Sequence, residues 1–319
     1  MEALRSLIAA VMLAPLAALA QSYPAKAVRI VLPFGPGGVA DITARTLAPK
    51  MGESLGQQVV IENMPSAGGI RASETVAKAE PDGYTLLLLT NGNAVSKALF
   101  KSLPYDPMSD FAMISTVGYF SMVFVTRGDS PLKSMKEVLA EAKAHPGKIN
   151  IGTISPGGTQ HLAGELFRST AGIDAVVVPH KTTGEVVIGV RNGTLDIGVD
   201  FIAPLLSGIR SGALRPLAVT AGKRFPGLPD VPTAIEAGVP GYDVASWNAL
   251  AAPAKTPRAA IDRVREELIK ALGRPDVQKR FAELGVEGRA STPEQLRDFF
   301  VSEAARWTKV VETAKIPKQ

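Results

Sequence analysis

The sequence predicts an α/β fold built from two similar units. Short apolar, β-rich runs alternate with amphipathic helical stretches, this alternation occurs twice, and each unit opens on a Pro-Gly-Gly loop. Strand and helix taking turns imply a mostly parallel sheet covered on both faces. A chain of roughly 300 residues can bury a large core, shared here between two domains.

The chain begins "MEALRSLIAAVMLAPLAALA", where Arg5 precedes an apolar stretch and Ala18-Leu19-Ala20 precedes Gln21. That is the layout of a secretory signal peptide cleaved after Ala20, and the apolar stretch is short for a bilayer span. Residues 1–20 are therefore set outside the fold. With no cysteine there is no disulfide framework, thiolate metal site or lipid-modified cysteine. The net charge of +5 suits a small anionic ligand or simple colloidal stability. Basic residues are scattered singly and aromatics are few, which speaks against nucleic acid.

In the first unit, "AVRIVLPF" reads as a strand and "ITARTLAPKMGESLG" as a helix that kinks or restarts at Pro49. "QQVVIEN" is a strand, "RASETVAKAE" a helix and "GYTLLLLT" a buried strand. In the second, "SMKEVLAEAKAHPG" is a helix capped by Ser134, "KINIGTIS" a strand, "GGTQHLAGELFRSTAG" a helix and "IDAVVVPH" a strand. "EVVIGVRNG" is a helix and "TLDIGVD" a strand. Residues 222–241 form a Pro/Gly-rich irregular passage, and helical segments at about 257–272, 275–284 and 293–314 close the chain. Laying Pro36-Gly37-Gly38 on Pro156-Gly157-Gly158 aligns strand, loop, helix and following strand. Open α/β folds bind ligands at such loops.

Gly37 and Gly38 permit close backbone approach ahead of a helix start, which favours an anion; the same glycines with Asp41 near the cap also make a plain turn. Ser155, Gly157, Gly158 and Thr159 repeat the pattern, and "NMPSAGGIRAS" offers a third Gly-Gly helix entry. Three such ends on one cleft would suit a ligand with more than one carboxylate. Each is worth about 0.3–1 kcal/mol and each charge-assisted hydrogen bond about 1.5–3 kcal/mol, so a handful reaches micromolar affinity, about −8 kcal/mol. Asp200 either caps the helix from Ala203 or serves as a cleft acid, with His180 and Lys181 beside it. Asn91 completes the candidate set. His145 reads as a solvent residue at a helix end. His161 and Glu165 stand four apart, but no second motif supports a metal, and no cofactor is expected. A Ser155–His161–Asp200 hydrolase can be drawn, yet no G-x-S-x-G elbow is present, so an enzyme is not expected.

Taken in order, "PFGPGGVAD", "PDGYTLLL", "LPYDPMSDFAMI", "SPGGTQHLAGELF", "GTLDIGVD", "RFPGLPDVPTAIEAGVPGY" and "WNALAAPAKTP" resemble the recurring segments of the tripartite tricarboxylate transporter substrate-binding receptors, the Bug family. The resemblance runs from about Tyr23 to the last helix. It implies a fold like the type II periplasmic binding proteins, with two α/β domains joined by two crossing strands around a ligand cleft. Domain 1 is then 21–122 plus 221–319, and domain 2 is 123–220. It further implies a monomeric periplasmic receptor that closes on a small carboxylate and delivers it to a membrane permease; the ligand is a di- or tricarboxylate, an aromatic acid or an acidic amino acid. A sensing role toward a signalling partner is the alternative. Matched position by position, Phe34, Gly37, Gly38 and Asp41 fall in the first ligand loop, Ser155, Thr159 and His161 in the second, and Asp200 on the acid after the last strand. The family's Tyr-Lys-Gly run followed by Ala-Pro is "HKTTGE" here, and Arg71 stands where an Ile is common. Arg71 and His180 would favour a second anionic group, and Glu185 would oppose one.

Overall fold

The computed structural model describes residues 23–154 and 157–319; the expected leader at 1–20 lies outside the described residues. The first unit runs β1 (Val28–Leu32), α1 (Val39–Leu55), β2 (Val59–Asn63), α2 (Ile70–Ala77), β3 (Thr85–Thr90) and α3 (Asn91–Leu99). Then β4 (Phe111–Arg127) leads into α4 (Met135–Ala144), β5 (Ile149–Ile154), α5 (Thr159–Ala171), β6 (Ala175–His180), α6 (Thr183–Asn192), β7 (Ile197–Phe201), α7 (Ile202–Arg210) and β8 (Leu214–Val219). After the irregular passage come β9 (Ala245–Pro253), α8 (Arg258–Leu272), α9 (Pro275–Glu283), β10 (Val286–Gly288) and α10 (Pro293–Thr313).

Local rules account for most of these bounds. Ser134 and Glu137 form a reciprocal capping box that starts α4, and Thr292 and Gln295 do the same for α10. Helix α1 runs through Pro49 without restarting; Leu47, Ala48, Met51 and Leu55, buried on either side of it, hold the helix against the sheet. The proline deletes one helical hydrogen bond, and packing outweighs that loss.

The strands follow the order β2-β1-β3-β9-β4-β7-β5-β6, with β8 and β10 also on β4. Strands β2, β1 and β3 are parallel, as are β6, β5 and β7. The expected parallel sheets are therefore present in each half, and antiparallel strands join them. The joint is β4: through Ser121 it pairs with β9, and from Met122 onward it pairs with β7 and β8. The return crossing runs from β8 through Thr220 and the irregular passage into β9.

Two core clusters flank the first half, centred on Ile30, Leu47 and Leu86 on one face and on Val31, Leu87 and Trp247 on the other. The second half's core includes Phe124, Leu162 and Phe167 and also draws in Val95, Ala98 and Leu99 from α3 and Trp307, Val310 and Val311 from α10. It takes Ala234, Val239, Tyr242 and Val244 as well. The Pro/Gly passage thus shares a core with the second half, as α3 and α10 do.

Two buried polar groups fix the joint. Thr220 donates its N–H to the Met122 carbonyl at 3.0 Å and accepts from Val244 N–H at 2.9 Å. Its Oγ1 accepts from Met122 N–H at 3.1 Å and donates to the Val244 carbonyl at 2.7 Å. One residue therefore stitches three passes of the chain where β4 changes partners. Glu303 of α10 accepts from the indole N–H of Trp247 at 3.1 Å and of Trp307 at 2.9 Å, bolting α10 to the crossing strand β9.

Thr220→Val keeps the side-chain shape and removes both hydroxyl bonds, so unfolding in denaturant should show a loss of about 1–3 kcal/mol. Thr220→Ser, which keeps the hydroxyl, should recover most of it; equal losses in the two variants would show that the stitch is packing alone.

Candidate functional site

The cleft lies at the carboxyl ends of β1, β3, β5, β6 and β7, where helices begin. The glycines of the two loops share one geometry. Gly37 has φ +88° and Gly157 φ +75°, left-handed values that favour glycine. The next residues, Gly38 and Gly158, are N-caps with extended backbone, φ −75°, ψ 166° and φ −73°, ψ 170°. The side chain three residues past each cap then reaches back to the amide before the cap. Gly37 N–H donates to Asp41 Oδ2 at 2.9 Å, and Gly157 N–H donates to His161 Nδ1 at 2.9 Å. Helix α6 repeats this with Lys181 N–H donating to Glu185 Oε2 at 2.9 Å across the cap Thr182.

A helix start leaves its first amides without intrahelical partners. Here the acceptor on the third helical residue is spent on the amide outside the helix. Among the described residues the N–H groups of Gly38, Val39 and Ala40 have no hydrogen-bond partner, and a Cβ on Gly38 would meet nothing within 4 Å. They point at open space with the positive end of the helix dipole behind them, which is what an anion requires.

Asp41 is 2% exposed and turns away from that space. Besides Gly37 it accepts from Arg45 Nε at 3.0 Å and from Asn63 Nδ2 at 2.9 Å. Asn63 also donates to the Phe34 carbonyl at 3.0 Å, tying the end of β2 to the first loop. Burial pulls the Asp41 pKa upward, but the bonds from Gly37, Asn63 and Arg45 hold it below the usual carboxylate range. The Phe34 ring, 42% exposed, is left at the rim.

The second half has its own tie. Asp200, 1% exposed, accepts from Gln160 Nε2 at 3.0 Å, from the Thr183 hydroxyl and from Phe201 N–H. It joins the starts of α5 and α6 to the end of β7. Helix α7 begins at Ile202 with Phe201 as its cap, so Asp200 does not cap a helix from Ala203. Burial raises its pKa against those three bonds. His161 is also buried, and burial lowers its pKa. With Nδ1 accepting, the neutral ring carries its proton on Nε2, 3.9 Å from Glu165 Oε1 and beyond hydrogen-bonding distance. His161 and Asp200 do not bond to each other, so the relay drawn from Ser155, His161 and Asp200 is not assembled; Ser155 itself lies outside the described residues. No group of three or more His, Asp or Glu able to hold a metal occurs among the described residues.

Thr159 meets Asn91 across the cleft, where Asn91 Nδ2 donates to Thr159 Oγ1 at 3.3 Å. His180 Nε2 is buried without a partner among the described residues. Lys181 and Glu185 are exposed, the latter serving its helix cap. Arg71 is exposed, with its amide donated to Ser66 Oγ. The third Gly-Gly entry serves packing: a Cβ on Gly69 would fall 2.6 Å from Pro33, and one on Gly68 2.3 Å from the Phe100 ring. Asn63, Gln160 and Thr183 hold the site together and carry no motif of their own; Gln160 was visible only as the neighbour of His161.

A family profile described as tripartite tricarboxylate transporter family receptor matches residues 43–316. The chain is similar to the structure of periplasmic binding protein BugD, with 33% identity, a TM-score of 0.79, and 93% of this chain and 100% of that chain covered. It is similar to R. palustris Rpa4515 with adipate, at 31% identity and a TM-score of 0.82 over 93% and 100% of the two chains. MatC from Rhodopseudomonas palustris with bound malate matches at 31% identity and a TM-score of 0.77 over 91% and 100%.

The His161 bond makes the second loop sensitive to acid. Its folded pKa lies below the unfolded value of about 6.5, so its contribution to stability is present above that pH and lost as pH falls below it. His161→Asn keeps an acceptor near the Nδ1 position and does not titrate. Urea unfolding from pH 7.5 to 5 should show wild type losing stability relative to this variant as pH falls, and a constant difference would refute the assignment.

Proposed function

The chain belongs to the tripartite tricarboxylate transporter receptor family, and from that premise we propose that it captures a small carboxylate between its two lobes and hands it to a membrane permease. The observation that carries this reading is the pair of matched helix starts, each with its first glycine amide tied back and its cap glycine extended. A carboxylate seated there takes charge-assisted hydrogen bonds from backbone amides without an arginine clamp. The adipate with Rpa4515 and the malate in MatC are both carboxylates, and this reading extends that class to the present chain. The leader-like first twenty residues support export, with the mature receptor working in the periplasm as a monomer.

The two lobes are the units on either side of the β4 crossing, with 231–244 moving with the second lobe and α3 and α10 packed against it. Closure then brings the second loop over the first, guided by the Asn91–Thr159 contact. The polar ties at Asp41 and Asp200 keep each loop rigid while the lobes move, so little ordering cost falls on binding.

A thermal-shift panel of dicarboxylates, tricarboxylates, aromatic acids and acidic amino acids should reveal at least one stabiliser, since a ligand at 100 times its Kd adds about 2.7 kcal/mol. Gly38 and Gly158 have backbone angles open to any residue. Gly38→Val and Gly158→Val should therefore fold, cover the amides and weaken that ligand by about 100-fold or more in calorimetry. Unchanged binding in either would mean that its loop is only a turn.

A further inference from the structure

Asn91 is the first residue of α3 and is 1% exposed. Its carboxamide lies between the two halves: Nδ2 donates to Thr159 Oγ1 at 3.3 Å, while Oδ1 is buried with no hydrogen-bond partner among the described residues. A buried amide oxygen without a partner is disfavoured, and a donor arriving with the ligand would meet that need. The second loop rests on the same helix, since a Cβ on Gly157 would come 3.1 Å from Leu99. One strand over, Asn248 stands opposite Thr90, the residue before Asn91, and its buried Nδ2 is also without a partner among the described residues. This end of the sheet is built to meet polar atoms and not an alkyl chain.

The donor's charge can also be read. An ammonium buried beside the neutral Asn91 carboxamide would need a carboxylate nearby. Asp41 is taken by Gly37, Arg45 and Asn63, Asp200 by Gln160 and Thr183, and Glu185 by its own helix cap. A hydroxyl needs only an acceptor. We infer that Asn91 reads a hydroxyl on the ligand, so that this receptor selects hydroxy carboxylates over their unsubstituted and amino counterparts. The inference rests on the carboxylate reading above and narrows it. Asn91 both closes the lobes through its amide nitrogen and sets specificity through its oxygen. A threonine hydroxyl accepts or donates, so matched ligands also report which end of the carboxamide faces the cleft.

The experiment is calorimetric titration of the exported, ligand-free full chain with matched acids: propionate and lactate, succinate and malate, glutarate and 2-hydroxyglutarate, tricarballylate and citrate, with aspartate as the amino counterpart of malate. For whichever pair binds, the hydroxy acid should bind about five- to tenfold tighter in wild type. Asn91→Leu should bring that ratio to about one, and Asn91→Ala reads the same ratio should the leucine variant fail to fold. Thr159→Val should weaken both members equally and keep the ratio. Equal affinities in wild type, tighter binding of the unsubstituted or amino acid, a ratio that survives Asn91→Leu and Asn91→Ala, or its loss in Thr159→Val would each overturn the assignment. Absence of binding by every acid of the wider panel would instead overturn the carboxylate reading itself.

Discussion

A backbone amide left without a partner is costly wherever water is kept out, and the cleft is built around that constraint. At α1, α5 and α6 the third helical residue spends its acceptor on the amide before the cap. Elsewhere, Glu137 at α4 accepts from both the amide before the cap and the cap amide, and Gln295 at α10 accepts from the cap amide alone. The cap itself sets α1 and α5 apart: Gly38 and Gly158 have no side chain to accept from a helical amide, whereas Ser134, Thr292 and Thr182 each accept from the third. Asp41, His161 and Glu185 are therefore loop-holding residues.

Holding those amides in place requires rigidity, which each lobe obtains from a buried acid. Asp41 gathers Gly37, Arg45 and Asn63 around the first loop; Asp200 gathers Gln160, Thr183 and Phe201 around the second. The two acids are tuned in opposite directions, since the Arg45 contact and the Gly37 amide hold Asp41 ionised while desolvation raises Asp200. The lobes themselves are less separate than their sheets. Helices α3 and α10 share a core with the second half, and Thr220 ties Met122 to Val244 where the strands cross.

Much of this was legible in the chain. The strand-helix alternation, the Ser134 cap, the strands from "VRIVL" to "IGVDF" and the equivalence of the two Pro-Gly-Gly loops follow from period, capping and glycine placement, and the loop equivalence extends to backbone angles. Helix α3 was not legible because it opens on Asn-Gly-Asn, which signals a turn; Thr90 and Asn93 supply the cap that overrides this. The packing of the passage at 231–244 was not legible because linear order says nothing about which core its Val, Ala and Tyr side chains enter. Asp200 was open between a cap and a cleft acid; it does not cap a helix from Ala203, and two of its donors, Gln160 and Thr183, are distant in sequence and could not be foreseen. Pairings such as Asn63 with Phe34, or Gln160 with Asp200, depend on strand order and leave no local trace.

The sequence contains only two tryptophans, and both indoles rest on Glu303. One stands on the crossing strand β9 and the other on α10, so a single carboxylate links the two elements. The protein therefore carries its own optical gauge: its entire indole emission arises from one buried acidic neighbourhood, and a displacement of α10 against β9 alters it without any attached label.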